Sequence, residues 1–333
     1  MVTSMAPRAA VVAAAAAAAL ATGCDPELLD DTSLVRSPRV LAVRAVPAES
    51  APGKTVALRA LRAGPDGLLD DASLGWAFCL ARKPFTEPGP IDPACLDADD
   101  PAVIAPLGAG VEVSGAIPTE ACRLFGPDRP APLPGEPAGR PVDPDGTGGY
   151  YQPVRLRVDG GAPALAQVRL SCGLPAVTQA QLAEYRARRR DNENPTIADV
   201  AIGGDAPGAL VPLERDPGAV TPVAAGAVVE LTVSWPACGD DEAAACGGAE
   251  PYVWFDPETR TLPTRREAIR ASWFVTGGEL AAGHTGRAED DRATTTDNRW
   301  TAPSTPGPAH LWIVLRDDRG GAGWASFRFE VTP

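Results

Sequence analysis

Short runs of alternating apolar and polar residues, each closed by proline or glycine, constrain this chain more than any other feature. The clearest is Ala164 to Cys172, where Leu165, Gln167 and Arg169 alternate with Ala166, Val168 and Leu170. A period of two sets one face of a strand against a core and the other away from it. Proline and glycine number 36 and 34 among 333 residues, about a fifth of the chain and short of the roughly 25–30% typical of disordered low-complexity protein. The chain is therefore predicted to be all-β, built of strands and turns, with enough length for about two domains.

Before the first strand signal comes a different kind of segment. Arg8 precedes an uncharged stretch, Ala9 to Leu20, which runs into Ala21-Thr22-Gly23-Cys24. This is the charged, apolar, small-residue order of a secretory signal, so residues 1–23 are read as a leader that is cut away. A bilayer-spanning anchor needs about 20 apolar residues, and this run has roughly a dozen, mostly alanine. Ala21 to Cys24 resembles the lipobox of bacterial lipoproteins, with the departure that Ala21 stands where the family has Leu, Val or Ile. The resemblance implies acylation of Cys24 and a mature chain tethered through membrane lipid.

Six cysteines remain after Cys24, namely Cys79, Cys95, Cys122, Cys172, Cys238 and Cys246. An even set in an exported chain predicts three disulfides. Only one pairing is readable, because Cys238 and Cys246 flank a short polar stretch and should staple one loop. No CxxC pair or neighbouring histidine supports a zinc site. Charge points the same way for nucleic acid: 43 acidic against 30 basic residues leave a net charge of −13, which repels phosphate backbones.

The acidic segment 24–37 reads as a spacer, with order beginning near Pro38. Arg39 to Val46, Lys54 to Ala60 and Leu74 to Cys79 are strand-like, and residues 38–175 form a first sandwich. Within it the pattern dissolves over about residues 82–149, which are read as a disulfide-held insertion. Residues 176–194 connect to the second sandwich through a helix from Thr178 to Arg190, with a T-x-x-Q capping box at Thr178 and Gln181 and a stop at Pro195. The arginines at 186, 188, 189 and 190 suit a helix C-terminus and are read as a solvated face, with an anion or polysaccharide site as the alternative.

Residues 195–333 repeat the opening plan. Asn194-Pro195-Thr196-Ile197 echoes Ser37-Pro38-Arg39-Val40, Ala225-Gly226-Ala227 echoes Pro52-Gly53-Lys54, and Ser272-Trp273-Phe274 stands beside Trp76-Ala77-Phe78. A repeat on this scale predicts two related sandwiches. The C-terminal segment Asn298 to Gly307, the turn Asp317-Asp318-Arg319-Gly320-Gly321 and the stretch Trp273 to Gly278 resemble bacterial immunoglobulin-like and PKD-like domains. That resemblance implies two immunoglobulin-like sandwiches, with Trp76 and Trp273 as core residues. Lipobox and domains together are similar to envelope lipoproteins of high-GC Gram-negative bacteria, which implies an outer-membrane or surface location ahead of the inner membrane. Asp25, however, is the residue that marks inner-membrane retention in enteric bacteria, so the choice between membranes stays open.

Chemistry is sparse. His284 and His310 are the two histidines, too few for most Ser-His or Cys-His centres, and no G-x-S-x-G, H-E-x-x-H or phosphate-cradling loop appears. Asp143-Pro144-Asp145-Gly146, Glu289-Asp290-Asp291 and Asp317-Asp318 are read as solvated turns, since the calcium alternative lacks a third carboxylate and a distant glutamate. Neither metal nor cofactor is called for. In the last hairpin, pairing Arg316 with Ala322 turns Leu311, Ile313, Leu315, Phe327, Phe329 and Val331 inward. Trp312 and Trp324 then point outward, a candidate binding patch for sugars or protein unless it packs on the first domain. The expected function is that of a lipid-anchored, non-enzymatic cell-envelope module, structural or binding an envelope protein or polysaccharide. The alternatives are a carbohydrate-binding module, which needs the tryptophans exposed, and a calcium-dependent adhesion module, which needs carboxylates to converge from several loops.

Overall fold

Alternation at period two becomes paired strands throughout. In the computed structural model the described residues are 32–69, 74–82, 91–97, 99–126, 146–158, 163–175, 177–203, 210–214, 218–241 and 245–333. Cys24, the leader 1–23 and Asp143 to Asp145 lie outside them.

The first unit contains β1 (Arg39–Val46), β2 (Glu49–Ser50), β3 (Thr55–Gly64), β4 (Gly67–Leu68), β5 (Leu74–Cys79), β6 (Ile104–Ala109), β7 (Glu112–Ala116), β8 (Gly149–Val158) and β9 (Ala164–Ser171). One sheet runs β1-β3-β4 with β7 also on β3, and the other runs β2-β9-β8-β5-β6. Their inner faces meet in a core of Val56, Leu58, Leu74, Trp76, Phe78, Val154, Leu156, Val168 and Leu170, the layered arrangement of a β-sandwich.

The second unit contains β10 (Asp199–Gly203), β11 (Leu210–Pro212), β12 (Val220–Ala224), β13 (Val228–Ser234), β14 (Pro251–Val253), β15 (Thr264–Arg266), β16 (Ile269–Val275), β17 (Glu279–Leu280), β18 (His284–Arg287), β19 (Thr295–Thr301), β20 (Gly307–Asp317) and β21 (Ala322–Thr332). Its sheets run β11-β10-β13-β19-β17 and β12-β21-β20-β16-β18, with β14 and β15 as a separate hairpin. Trp273, Trp300, Leu231, Ile313 and Phe329 lie in the core between the sheets.

The two units share one plan. In each, the opening strand pairs antiparallel with the next long strand on one sheet, β1 with β3 and β10 with β13. The chain then crosses to run parallel to the last strand of the other sheet, β2 with β9 and β12 with β21. Gly53 and Gly226 take φ of 77° and 70° in the turns that follow these crossings, a conformation that glycine reaches without a Cβ penalty. Trp76 and Trp273 sit on corresponding strands, 3% and 0% exposed, as immunoglobulin-like sandwiches place their core tryptophan. Their indole N–H groups donate to Gly110 O at 2.7 Å and to Thr285 Oγ1 at 2.9 Å.

Three features depart from the sequence expectations. Residues 82–149 are not simply an insertion, because β6 and β7 lie inside this stretch and belong to the two sheets. Pro106, Gly108, Gly110 and Gly115 interrupt their alternation, and neighbouring strands supply the missing order. The spacer also ends earlier than residue 37: Leu34 bridges Val275, Val35 is fully buried, and the Val35 N–H donates to Val275 O at 2.8 Å. These two apolar residues find a place against the second sandwich, so the acidic segment is not solvated throughout. The helix, Gln179–Arg188, has its capping box at Thr178 and Gln181. It is more than a connection, because Tyr185 and Leu182 pack with Val253, Phe255 and Leu262 of the second unit.

The cysteines pair as Cys79–Cys95, Cys122–Cys172 and Cys238–Cys246. The first two fasten short helical turns, Ala94–Asp97 and Ala121–Leu124, to the ends of β5 and β9, and the third closes the loop after β13. No helix among the described residues is long and apolar enough to cross a membrane.

Candidate functional site

The register of the last hairpin is the expected one, with Arg316 opposite Ala322, Val314 opposite Trp324 and Trp312 opposite Ser326. The face it turns outward is nevertheless covered. Trp312 is 1% exposed and packs with Val314, Val35 and, from β1 and β3, Leu41, Ala42, Leu61 and Ala63. Trp324 is half-buried, with the Arg44 guanidinium 4.8 Å from its ring centroid, a cation–π contact. The candidate patch is therefore an internal joint between the sandwiches, and the exposed-aromatic reading is withdrawn. Two large apolar faces, one on each unit, bury each other more favourably than either remains in water.

Beside this apolar joint runs a buried chain of charges. The crossing from β1 to β2 drops Glu49, whose side chain is 2% exposed, beside Arg169 on β9, and Arg169 Nε donates to Glu49 Oε2 at 3.2 Å. Arg189, at the C-cap of the helix, donates to Glu49 Oε1 at 2.6 Å, and the Asn192 backbone N–H donates to Oε2 at 3.0 Å. Burial raises the Glu49 carboxyl, but the Arg169 and Arg189 guanidiniums outweigh it and hold Glu49 below the usual carboxylate range.

Arg169 continues the chain into the second unit. It donates to Thr147 Oγ1 at 2.6 Å and to the Tyr151 hydroxyl at 3.1 Å, and that hydroxyl donates to Arg319 O at 3.3 Å. Arg319, at the tip of the β20–β21 hairpin and 4% exposed, donates to Glu267 Oε1 at 2.6 Å and Glu250 Oε2 at 3.1 Å. Asp317, which sequence places in a solvated turn, is instead 7% exposed. Its Oδ1 accepts the Arg319 and Gly321 backbone N–H groups at 2.9 and 2.8 Å. Asn192 spans the halves, since its Nδ2 donates to Asp317 Oδ1 at 3.2 Å. Asn194 stitches the same seam, donating to Ala45 O at 2.7 Å and accepting from the Ala322 N–H at 2.9 Å.

The two ends of this network have opposite electrostatics. Glu49 faces two guanidiniums, whereas Glu250, Glu267 and Asp317 crowd around Arg319. Burial, with neighbouring carboxylates added, pushes Glu267 well up despite Arg319, and burial raises Glu250 and Asp317. Asp318 is pushed up to about 6, first by desolvation and then by Asp317.

Linkage gives the sign. Groups whose folded pKa is raised contribute stability at low pH and lose it as pH rises through the folded value; Glu49 contributes above its unfolded value and loses it as pH falls. His284 and His310, whose pKa values burial lowers, act in the opposite sense, but the raised Glu250, Glu267, Asp317 and Asp318 outnumber them, so the thermal midpoint is expected to rise from pH 8 to about 5 and to fall again below about 4. Differential scanning calorimetry across that range checks it, and a midpoint climbing steadily from pH 5 to 8 would contradict it.

Some of the remaining sequence candidates have structural partners. Of the helix arginines, Arg188 donates to Leu262 O at 2.5 Å and Arg189 to Glu49, so the solvated-face reading fails for these two. His310 stacks on Trp312 with centroids 5.7 Å apart, and Asp291 pairs with Arg287 at 3.2 Å. Among the described residues no three His, Cys, Asp or Glu side chains gather as metal ligands. Sequence reasoning missed Glu49, Arg169, Glu250 and Glu267, because single charges in short strands look solvated until the partner strand is placed. The one available signal was Asp317-Asp318-Arg319, three charges packed into a hairpin tip.

No family model matches the chain, and no curated protein matches it. Among solved structures it is similar to the fibronectin(III)-like modules of Clostridium thermocellum CbhA, at 8% identity and a TM-score of 0.20, over 89% of this chain and 94% of that one. It is also similar to the Yersinia pseudotuberculosis adhesin InvE, at 9% identity and a TM-score of 0.22, over 86% of this chain and 58% of that one. The Escherichia coli adhesin FdeC gives 11% identity and a TM-score of 0.18, over 90% of this chain and 65% of that one. Likenesses this distant carry no function across, and strand order and core alone make the chain a pair of immunoglobulin-like β-sandwiches.

Proposed function

We propose that this protein is a lipid-anchored, non-enzymatic module of the cell envelope, in which two sandwiches joined into one rigid body hold a structural or partner-binding surface away from a membrane. The observation that carries the reading is the joint itself. Trp312 is buried between the units, and Glu49, Arg169, Arg319 and Glu267 are buried beside it, so the units are held as one body, as an interface that is both apolar and ion-paired requires. Three disulfides support an oxidising location outside the cytoplasm. The tether rests on the lipobox-like residues before Cys24.

Cys24→Ser is expected to move the protein from the membrane fraction to the soluble fraction and to abolish labelling by a radioactive fatty acid. A mutant that stays in the membrane pellet and still takes up label would overturn the tether.

A further inference from the structure

On the sheet face that carries Trp312, farther along β16 and β20, two arginines stand side by side. Arg270 on β16 lies directly opposite Arg316 on β20 and Gly286 on β18, and Ser272, two residues on, lies opposite His284. Directly opposed residues share a face. Like charges placed so are destabilising, and here the chain as a whole has an acidic excess. Arg316 is held in place, donating to Ser272 Oγ at 3.1 Å and to Leu41 O at 2.8 Å. His284 Nδ1 lies 3.1 Å from the same Ser272 Oγ. The Arg270 side chain is exposed and makes no ion pair or hydrogen bond among the described residues.

Burial and Arg270 lower the Arg316 pKa, and burial, Arg270 and Arg316 lower that of His284. Gly286 lets β18 approach the backbone of β16 closely beside Arg270. A Cβ there would lie 2.2 Å from Ile269 O and 3.0 Å from Arg270 Cα, and its φ of 156° also favours glycine.

Arg270, Arg316, His284 and Gly286 line a cleft of about 580 Å³ together with Arg287, which pairs with Asp291, and with Asp317 and Asp318. Asp317 is taken up by backbone donors and by Asn192; Asp318 lines the cleft. The cleft thus offers guanidinium donors for an oxyanion, as arginines do for carboxylates and phosphates. Asp318 offers it a carboxyl acceptor for hydroxyl groups.

We propose that this cleft is a binding site for an acidic sugar, with its carboxylate or phosphate on Arg270 and Arg316 and its hydroxyl groups toward Asp318. The site deepens the reading of a partner-binding envelope module by naming a ligand class. A neutral sugar lacks the group that answers the arginines, and an inorganic anion lacks the hydroxyls that answer Asp318.

Isothermal titration calorimetry of the full mature chain in detergent, with glucuronate, glucose 6-phosphate, glucose and inorganic phosphate as separate titrants, tests it. One or both acidic sugars should bind saturably and glucose should not; which acidic sugar binds identifies the anionic group. Arg270→Gln, a change at an exposed side chain, should weaken that binding about tenfold with an unaltered circular dichroism spectrum. Arg299→Gln, on the other sheet, should leave it unchanged. Lack of saturable binding by either acidic sugar, binding of inorganic phosphate as tight as theirs, or equal affinity in the Arg270→Gln protein would overturn the site. None of those results would alter the fractionation of Cys24→Ser, so the tether and the site fail separately.

Discussion

Glu49→Ala is expected to cost about 3–5 kcal/mol, the usual penalty for breaking a buried ion pair by removing one partner. The alanine protein keeps Arg169 buried with its side chain 2% exposed and no carboxylate beside it. It also takes the acceptor from Arg189 and from the Asn192 N–H. The loss falls on the join between the units, so urea unfolding followed by tryptophan fluorescence should separate into two transitions where the wild type shows one. The double replacement Glu49→Leu, Arg169→Met should recover much of the lost stability, because apolar pairs of similar volume often replace buried ion pairs at little cost. A Glu49→Ala protein that unfolds in one step within about 1 kcal/mol of wild type would show that the network does not join the sandwiches.

Trp312→Ala should be comparably severe, about 3–5 kcal/mol, as for other buried aromatic truncations. The wall it leaves is made by Leu41, Ala42, Leu61 and Ala63 of one unit, Val314 of the other and Val35, with Phe274 and Trp324 packed against them. Because Trp312 lies outside the core of the second sandwich, the expected outcome is loosening of the joint with that core kept. Small-angle scattering should report a larger radius of gyration, and limited proteolysis should cut within residues 189–196. Trp273→Ala supplies the contrast, since Trp273 is fully buried between the two sheets of one sandwich and its loss should unfold that unit. A Trp312→Ala protein as compact and as protease-resistant as wild type would mean that the tryptophan fills space without coupling the units.

The repeat was legible in particular residues. Gly53 and Gly226 mark the same turn, and Trp76 and Trp273 the same strand, because a positive φ and a large core site each admit few residue types. The pairing of β20 with β21 followed from inward and outward alternation alone. The capping box at Thr178 and Gln181 was equally readable, since it is local. By contrast β6 and β7 passed unnoticed, because short strands rich in proline and glycine owe their conformation to neighbours distant in sequence.

What lay in the sequence by itself was therefore what depends on local geometry and period: the strands, the alternation of faces and the repeat. Only the tertiary structure decided what each face meets. Trp312 and Trp324 were correctly placed on the outward side of their sheet, yet outward from one sandwich proved to be inward for the pair. Glu49 and Arg169 are 120 residues apart, and Asp317 looked solvated until Asn192 was brought against it. The physical reason is the same in each case. Alternation fixes the direction of a side chain relative to its own strand, whereas burial and charge pairing depend on which surface the folded chain lays across it.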